Sequence, residues 1–93
     1  MKERGNPMDL VLVEWIDSHS GEGWQSKEEL ERVAEPLYCR SVGWLMADRK
    51  NCKVIVPHLA GEKNGNIVLQ GCGDITIPTV AIVRITVLKK GDL

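Results

Sequence analysis

The chain has no phenylalanine, one tyrosine, no run of apolar residues near the ~20 that cross a bilayer, and no excess of either charge. Each lack narrows the reading. Without a long apolar run, no membrane-spanning helix is expected. A net charge of −1 argues against bulk attraction to nucleic acid or anionic lipid. Three cysteines, Cys39, Cys52 and Cys72, are an odd number with no C-x-x-C pair, which fits free thiols in a reducing cytoplasm rather than a disulfide framework. The first residues, Met-Lys-Glu-Arg-Gly-Asn-Pro, lack the apolar stretch of a targeting peptide. There are no internal repeats or low-complexity linkers, so nothing divides the 93 residues into more than one domain.

What is present is ordinary globular composition, with 43% hydrophobic and 27% charged residues. A chain of this size buries roughly 60–70% of its unfolded surface. That suffices for one modest core and leaves little room for a deep private pocket, so a ligand site shared between subunits is plausible. Charge is uneven. Residues 1–48 hold ten acids and five bases, and residues 49–93 hold three acids and seven bases. Two readings stand, an acidic surface helix in the first half or a basic binding face in the second.

Residues 1–9 read as a flexible leader, 10–88 as the domain and 89–93 as a tail. Leu10–Asp17 alternates as a strand, with Val11, Val13 and Trp15 on one face and Leu10, Leu12 and Ile16 on the other. Ser18–Gln25 is a glycine-bearing loop that carries Trp24. Ser26 to about Glu35 is the one helix. Ser26 and Glu29 form a capping box, Leu30, Val33 and Ala34 form a narrow apolar stripe, and Pro36 stops it. Further strands are predicted over Leu37–Ala47, Cys52–Leu59, Ile67–Gln70, Ile75–Pro78 and Val80–Leu88. In the last, Ala81, Val83, Ile85 and Val87 are expected to share one face. This order predicts a mainly β fold, a small antiparallel β-barrel of SH3-like or Sm-like type, with one short helix inserted after the first strand. Several strands are apolar on both faces. One barrel core covers only one of these, which points to a homo-oligomer.

Three blocks carry a resemblance. Val13-Glu14-Trp15-Ile16-Asp17-Ser18 with Gly23-Trp24, then Ser41-Val42-Gly43-Trp44-Leu45, then Ile77-Pro78 with Ala81-Ile82-Val83-Arg84-Ile85, together resemble a widespread group of small phage and prophage proteins, mostly known as hypothetical. The likeness spans roughly residues 10–88. It implies a phage origin and work in the host bacterial cytoplasm. In that context, compact oligomers that sequester nucleotide-derived immune signals between subunits are similar in size and apparent design.

The candidate ligand-binding residues are Asp17, Ser18, Trp24, Arg40, Ser41, Gly43 and His58. Trp24, in a polar glycine-flanked loop, is suited to stack on a base or to fold back over the core. Arg40, Ser41 and the Gly43 backbone suit a phosphate, while Gly43 alone is explained by strand curvature. Asp17 and Ser18 offer polar contacts or merely local turn hydrogen bonds. Next to His19 they supply the residue types of a hydrolase triad, but adjacent residues cannot easily converge in that geometry. His58 either contacts an anion or is a surface histidine. Trp44 reads as a core or subunit-contact aromatic, and Arg49, Lys50 and Lys53 as a basic hairpin tip. The spacing of His19, His58 and the cysteines matches no metal pattern, so no metal and no cofactor are expected. The expected function is capture of a nucleotide-like molecule by a phage-encoded oligomer that counters host immunity, without catalysis. An Sm-like binder of RNA or single-stranded DNA, and an adaptor that docks on a host defence protein, remain as alternatives.

Overall fold

Alternation places the first strand. In the computed structural model, which describes residues 5–64 and 67–91, β1 spans Leu10–Asp17 and turns Val11 and Val13 fully inward. β2, Leu37–Asp48, runs antiparallel to it, from Leu10 opposite Trp44 to Asp17 opposite Leu37. A tight turn leads into β3, Cys52–Val56. The Arg49 N–H donates to the Cys52 carbonyl at 3.0 Å. Lys53 folds back onto the Asp48 carboxylate and donates to the Arg49 carbonyl at 2.6 Å. Of the three bases read as a hairpin tip, Lys53 is therefore spent on the turn itself.

Beyond β3 the chain bends. β4, His58–Gly61, begins after Pro57 and pairs with β5, Val68–Cys72; β6, Ile75–Pro78, returns along β3. Gly73, with φ +80°, supplies the matching bend between β5 and β6. β3 with β4 and β5 with β6 thus form the two arms of one long hairpin broken at its middle, which is why a five-stranded sheet and a two-stranded sheet coexist. A 3-10 turn, Thr79–Ala81, precedes β7, Ile82–Lys89, which lies along the free side of β1. The five-stranded order is β6-β3-β2-β1-β7, with every neighbouring pair antiparallel.

The core is aliphatic. Val11, Val13, Leu45, Ile55, Ile77, Ile82 and Ile85 form one buried cluster, with Trp15, Ile75, Ala81 and Val87 packed against it. The mainly β fold agrees with the sequence reading. Closure does not: no ladder joins β6 to β7 among the described residues, so the sheet is open. Strand boundaries also move, the fourth expected strand for example to Val68–Cys72. Proline has no N–H for the ladder, so the strand expected over Cys52–Leu59 divides at Pro57. The strand expected from Val80 starts at Ile82, after the 3-10 turn. The inward face of β7 also differs from expectation. The register with β1 shifts between Glu14 and Trp15, so Ile82 and Ile85 are buried while Val83 is bulged outward.

α1, Lys27–Arg32, is shorter than the ten residues expected. Its cap is as predicted, with the Glu29 N–H donating to Ser26 Oγ at 3.2 Å. None of its residues is buried.

Residues 5–9 are tied to the sheet. Met8 N–H donates to the Leu45 carbonyl and Leu45 N–H to the Asp9 carbonyl. Residues 1–4 of the expected leader, 65–66 of the loop after β4 and 92–93 of the expected tail lie outside the described residues. Asp9 is buried, and its carboxylate accepts from Gly91 N–H at 2.8 Å and Asn6 N–H at 2.9 Å. The Gly91 bond first, then that from Asn6, with help from the Lys90 charge, holds its pKa below the ordinary value against the opposing effect of burial. A folded-state pKa lower than the unfolded one stabilises the fold above the unfolded value of about 4; that stability is lost as pH falls through the folded value. In melting curves recorded from pH 6 down to pH 2, Asp9→Asn is therefore expected to lose stability less steeply than the native chain. Parallel acid limbs would refute this role.

Candidate functional site

The register of β1 and β2 sorts the candidate residues by face. Val11, Val13 and Trp15 point inward opposite Gly43, Ser41 and Cys39; Glu14 and Ile16 point outward opposite Arg40 and Tyr38. The outward row continues onto β7, where Arg84 stands opposite Glu14. Arg84 donates to Glu14 Oε1 through Nη2 at 2.7 Å and Nε at 3.2 Å. This hydrogen bonding, then the attraction of the two charges, raises the Arg84 pKa above its already high value.

Arg40 flanks the pair on the other side. Its guanidinium has no partner among the described residues. A cleft of about 520 Å³ opens here, lined by Glu14, Trp15, Tyr38, Cys39, Arg40 and Val83. Its size falls in the range of small-molecule sites. Tyr38 is 70% exposed and offers a ring at its margin.

Asp17 and Ser18 sit at this end of the sheet, where β1 gives way to the insertion that carries α1. Asp17 Oδ1 accepts from the Ser18 N–H at 2.8 Å, a local turn bond. His19 Nε2 donates to the Glu35 carbonyl at 2.6 Å, which clips the start of the insertion to its end. These bonds leave Asp17, Ser18 and His19 apart as a triad. Trp24 lies in the same insertion and is fully exposed, touching no core.

The other candidates are placed differently. Ser41 Oγ accepts from the Trp15 indole N–H at 3.0 Å, so it serves to satisfy a half-buried donor. Gly43 is buried beneath the Val56 backbone. His58 opens β4, exposed, beyond the Pro57 bend and away from the cleft. Of the candidates, Arg40 lines the cleft, Ser41 is bonded to the Trp15 side chain that also lines it, Asp17 and Ser18 stand at the same end of β1, Trp24 is exposed in the insertion that follows, Gly43 lies beneath Val56, and His58 opens β4. Sequence reasoning missed Glu14, Tyr38 and Arg84. Only the strand register brings them together, and the sole sequence hint was the charge of Glu14 within an otherwise apolar strand.

A second groove, about 510 Å³, lies at the opposite end of β1, with Leu10, Trp44, Leu59, Ile67 and Val68 among its walls and Lys89 and Lys90 also in its lining. Among the described residues no group of three or more His, Cys, Asp or Glu side chains is placed to hold a metal ion. No helix of the described residues is long and apolar enough to cross a membrane. Comparison with family models, with curated proteins and with solved structures returns no match.

Proposed function

We propose that the chain is a non-catalytic, phage-type oligomeric binding protein that captures a nucleotide-like molecule at the Arg40 cleft, and so withdraws a host immune signal. The observation that carries this reading is the guanidinium of Arg40, with no partner among the described residues, beside exposed aromatic surface in a cleft of ligand size. A nucleotide asks for those two things. Arg40 binds phosphate oxygens through its fork of N–H donors, and Tyr38 or Trp24 stacks on the base. Glu14, held in place by Arg84, accepts from a ribose hydroxyl or a base amino group. The strand order, with a 3-10 turn before β7, supports an SH3-like or Sm-like topology left open at one seam. Exposed apolar side chains on both sides of the sheet favour several copies acting together, each completing its neighbour's site. The net charge of −1 weighs against the nucleic-acid alternative.

The test is retention of cyclic di- and trinucleotides, ADP-ribose derivatives and short RNA, read by native mass and titration calorimetry. One small nucleotide should be held unmodified. Arg40→Ala should weaken it about 10- to 150-fold, the equivalent of roughly 1.5–3 kcal/mol for a hydrogen bond to a charged group, at unchanged melting temperature. Failure of the native assembly to retain any of the panel would remove the proposal.

A further inference from the structure

Two surfaces at opposite ends of the molecule fit each other. At one end α1 stands free. Leu30 of α1 and Val33 at its C-cap form its apolar stripe and are 55% and 51% exposed. Acids crowd around them: from Asp17 to Glu35 there are six, against two bases. A helix of six residues has no stability of its own in water, since isolated helices below about 12–15 residues are marginal. Its stripe needs a surface, and its own sheet does not supply one.

At the other end is the groove walled by Leu10, Trp44, Leu59, Ile67 and Val68. Lys89 and Lys90 line it, with Glu62 the one acid among the described residues of its lining. Leu10 and Asp17 mark the two ends of β1, so the groove and the root of the helical insertion are separated by the length of that strand, about 25 Å. The helix cannot reach the groove of its own chain without unpairing β1 from β2.

We infer that α1 of one copy docks its Leu30–Val33 stripe into the Leu10–Trp44–Ile67 groove of a second copy, acidic flank against groove lysines, in a head-to-tail assembly. The charges agree: Glu28, Glu29 and Glu31 flank the stripe on α1, and Lys89 and Lys90 line the groove. The inference rests on the assembly part of the proposed function and is independent of the ligand.

The experiment is native mass and sedimentation of the full chain without ligand, at tens of micromolar. Two variants are made, Leu30→Asp/Val33→Asp on the helix and Ile67→Asp/Lys90→Glu on the groove, each checked for native circular dichroism. All four positions are exposed and outside the core. The native chain should assemble and each variant should be monomeric. An equimolar mixture of the two should give a heterodimer and nothing larger, because one intact helix and one intact groove remain between them. Variants that assemble as the native chain does would overturn this interface and leave the assembly reading standing. Monomeric variants that fail to complement would overturn the head-to-tail arrangement. A monomeric native chain would remove both. Should the groove variant lose its native spectrum, Glu28→Lys/Glu31→Lys takes its place as a charge test. It should weaken assembly at low salt, and unchanged assembly would count against the lysine contact.

Discussion

Leu45→Ala is expected to destabilise the fold by about 2–5 kcal/mol, enough to lower the melting temperature by roughly 10 °C or more. Leu45 is fully buried and belongs to the aliphatic cluster between β1, β3, β6 and β7. The cluster has no phenylalanine to spread over a void, so the space left by the isobutyl group can close only by moving strands. A chain of this length has about 5–14 kcal/mol of stability in total, so the loss removes a large share. The backbone of Leu45 also bonds Met8 and Asp9. Those bonds survive in the variant, so the effect isolates the side chain. Urea denaturation at one fixed protein concentration measures it, because assembly would otherwise contribute. Leu45→Met, which keeps the volume, should cost less than about 1.5 kcal/mol. Equal losses in the two variants would show that packing at this site is not what matters.

Gly43→Val is the second large effect, and it opposes intrinsic preference. Valine favours strands and glycine weakens them, so on propensity alone the change should stabilise β2. Reducing the freedom of the unfolded chain adds about 0.4–1 kcal/mol in the same direction. The structure reverses the sign. A Cβ at residue 43 would lie 3.0 Å from each of the N, C and O atoms of Val56. These are backbone atoms at the end of β3, just before the Pro57 bend, and no rotamer change moves them away. Overpacking of this kind costs about 1–3 kcal/mol for the first methyl, and the γ-methyls of valine add to it. The expected net result is a loss of up to about 2.5 kcal/mol for alanine and more for valine. Thermal melts of both variants decide the matter. Unchanged stability with weakened nucleotide retention would instead return Gly43 to the binding site, where the sequence reading had placed it.

Much of the fold was legible because single strands and caps are local. β1 begins and ends where its alternation does. Ser26 caps α1 as a serine three residues before a glutamate should. What remained hidden depends on pairing. Val83 sits at odd spacing from Ile82 and even spacing from Ile85 and Val87, and only the register shift against β1 decides that Ile82 is the inward residue. Ser41 looks like a ligand hydroxyl until Trp15 is found beside it. Arg40 was visible as a charge, whereas Glu14 and Arg84 gained meaning only once β1 was known to lie between β2 and β7. His58 is placed in the sequence by Pro57 before it and a polar loop after it, and pairing puts it at the exposed start of β4 in the two-stranded sheet.

The bulge at Val83 has a bearing on solubility. β7 and β6 are the outer strands of an open sheet, and bare outer strands invite uncontrolled stacking into fibres. Here each is spoiled as a template. β7 departs from straight pairing at two places along β1, and β6 is four residues long and ends in Pro78. A fresh strand laid along either edge would find few donors and acceptors in step. The irregularity that hid the inward face of β7 from a sequence reading thus also guards the chain against amyloid-like growth, and leaves its helix and groove as the surfaces through which copies can meet.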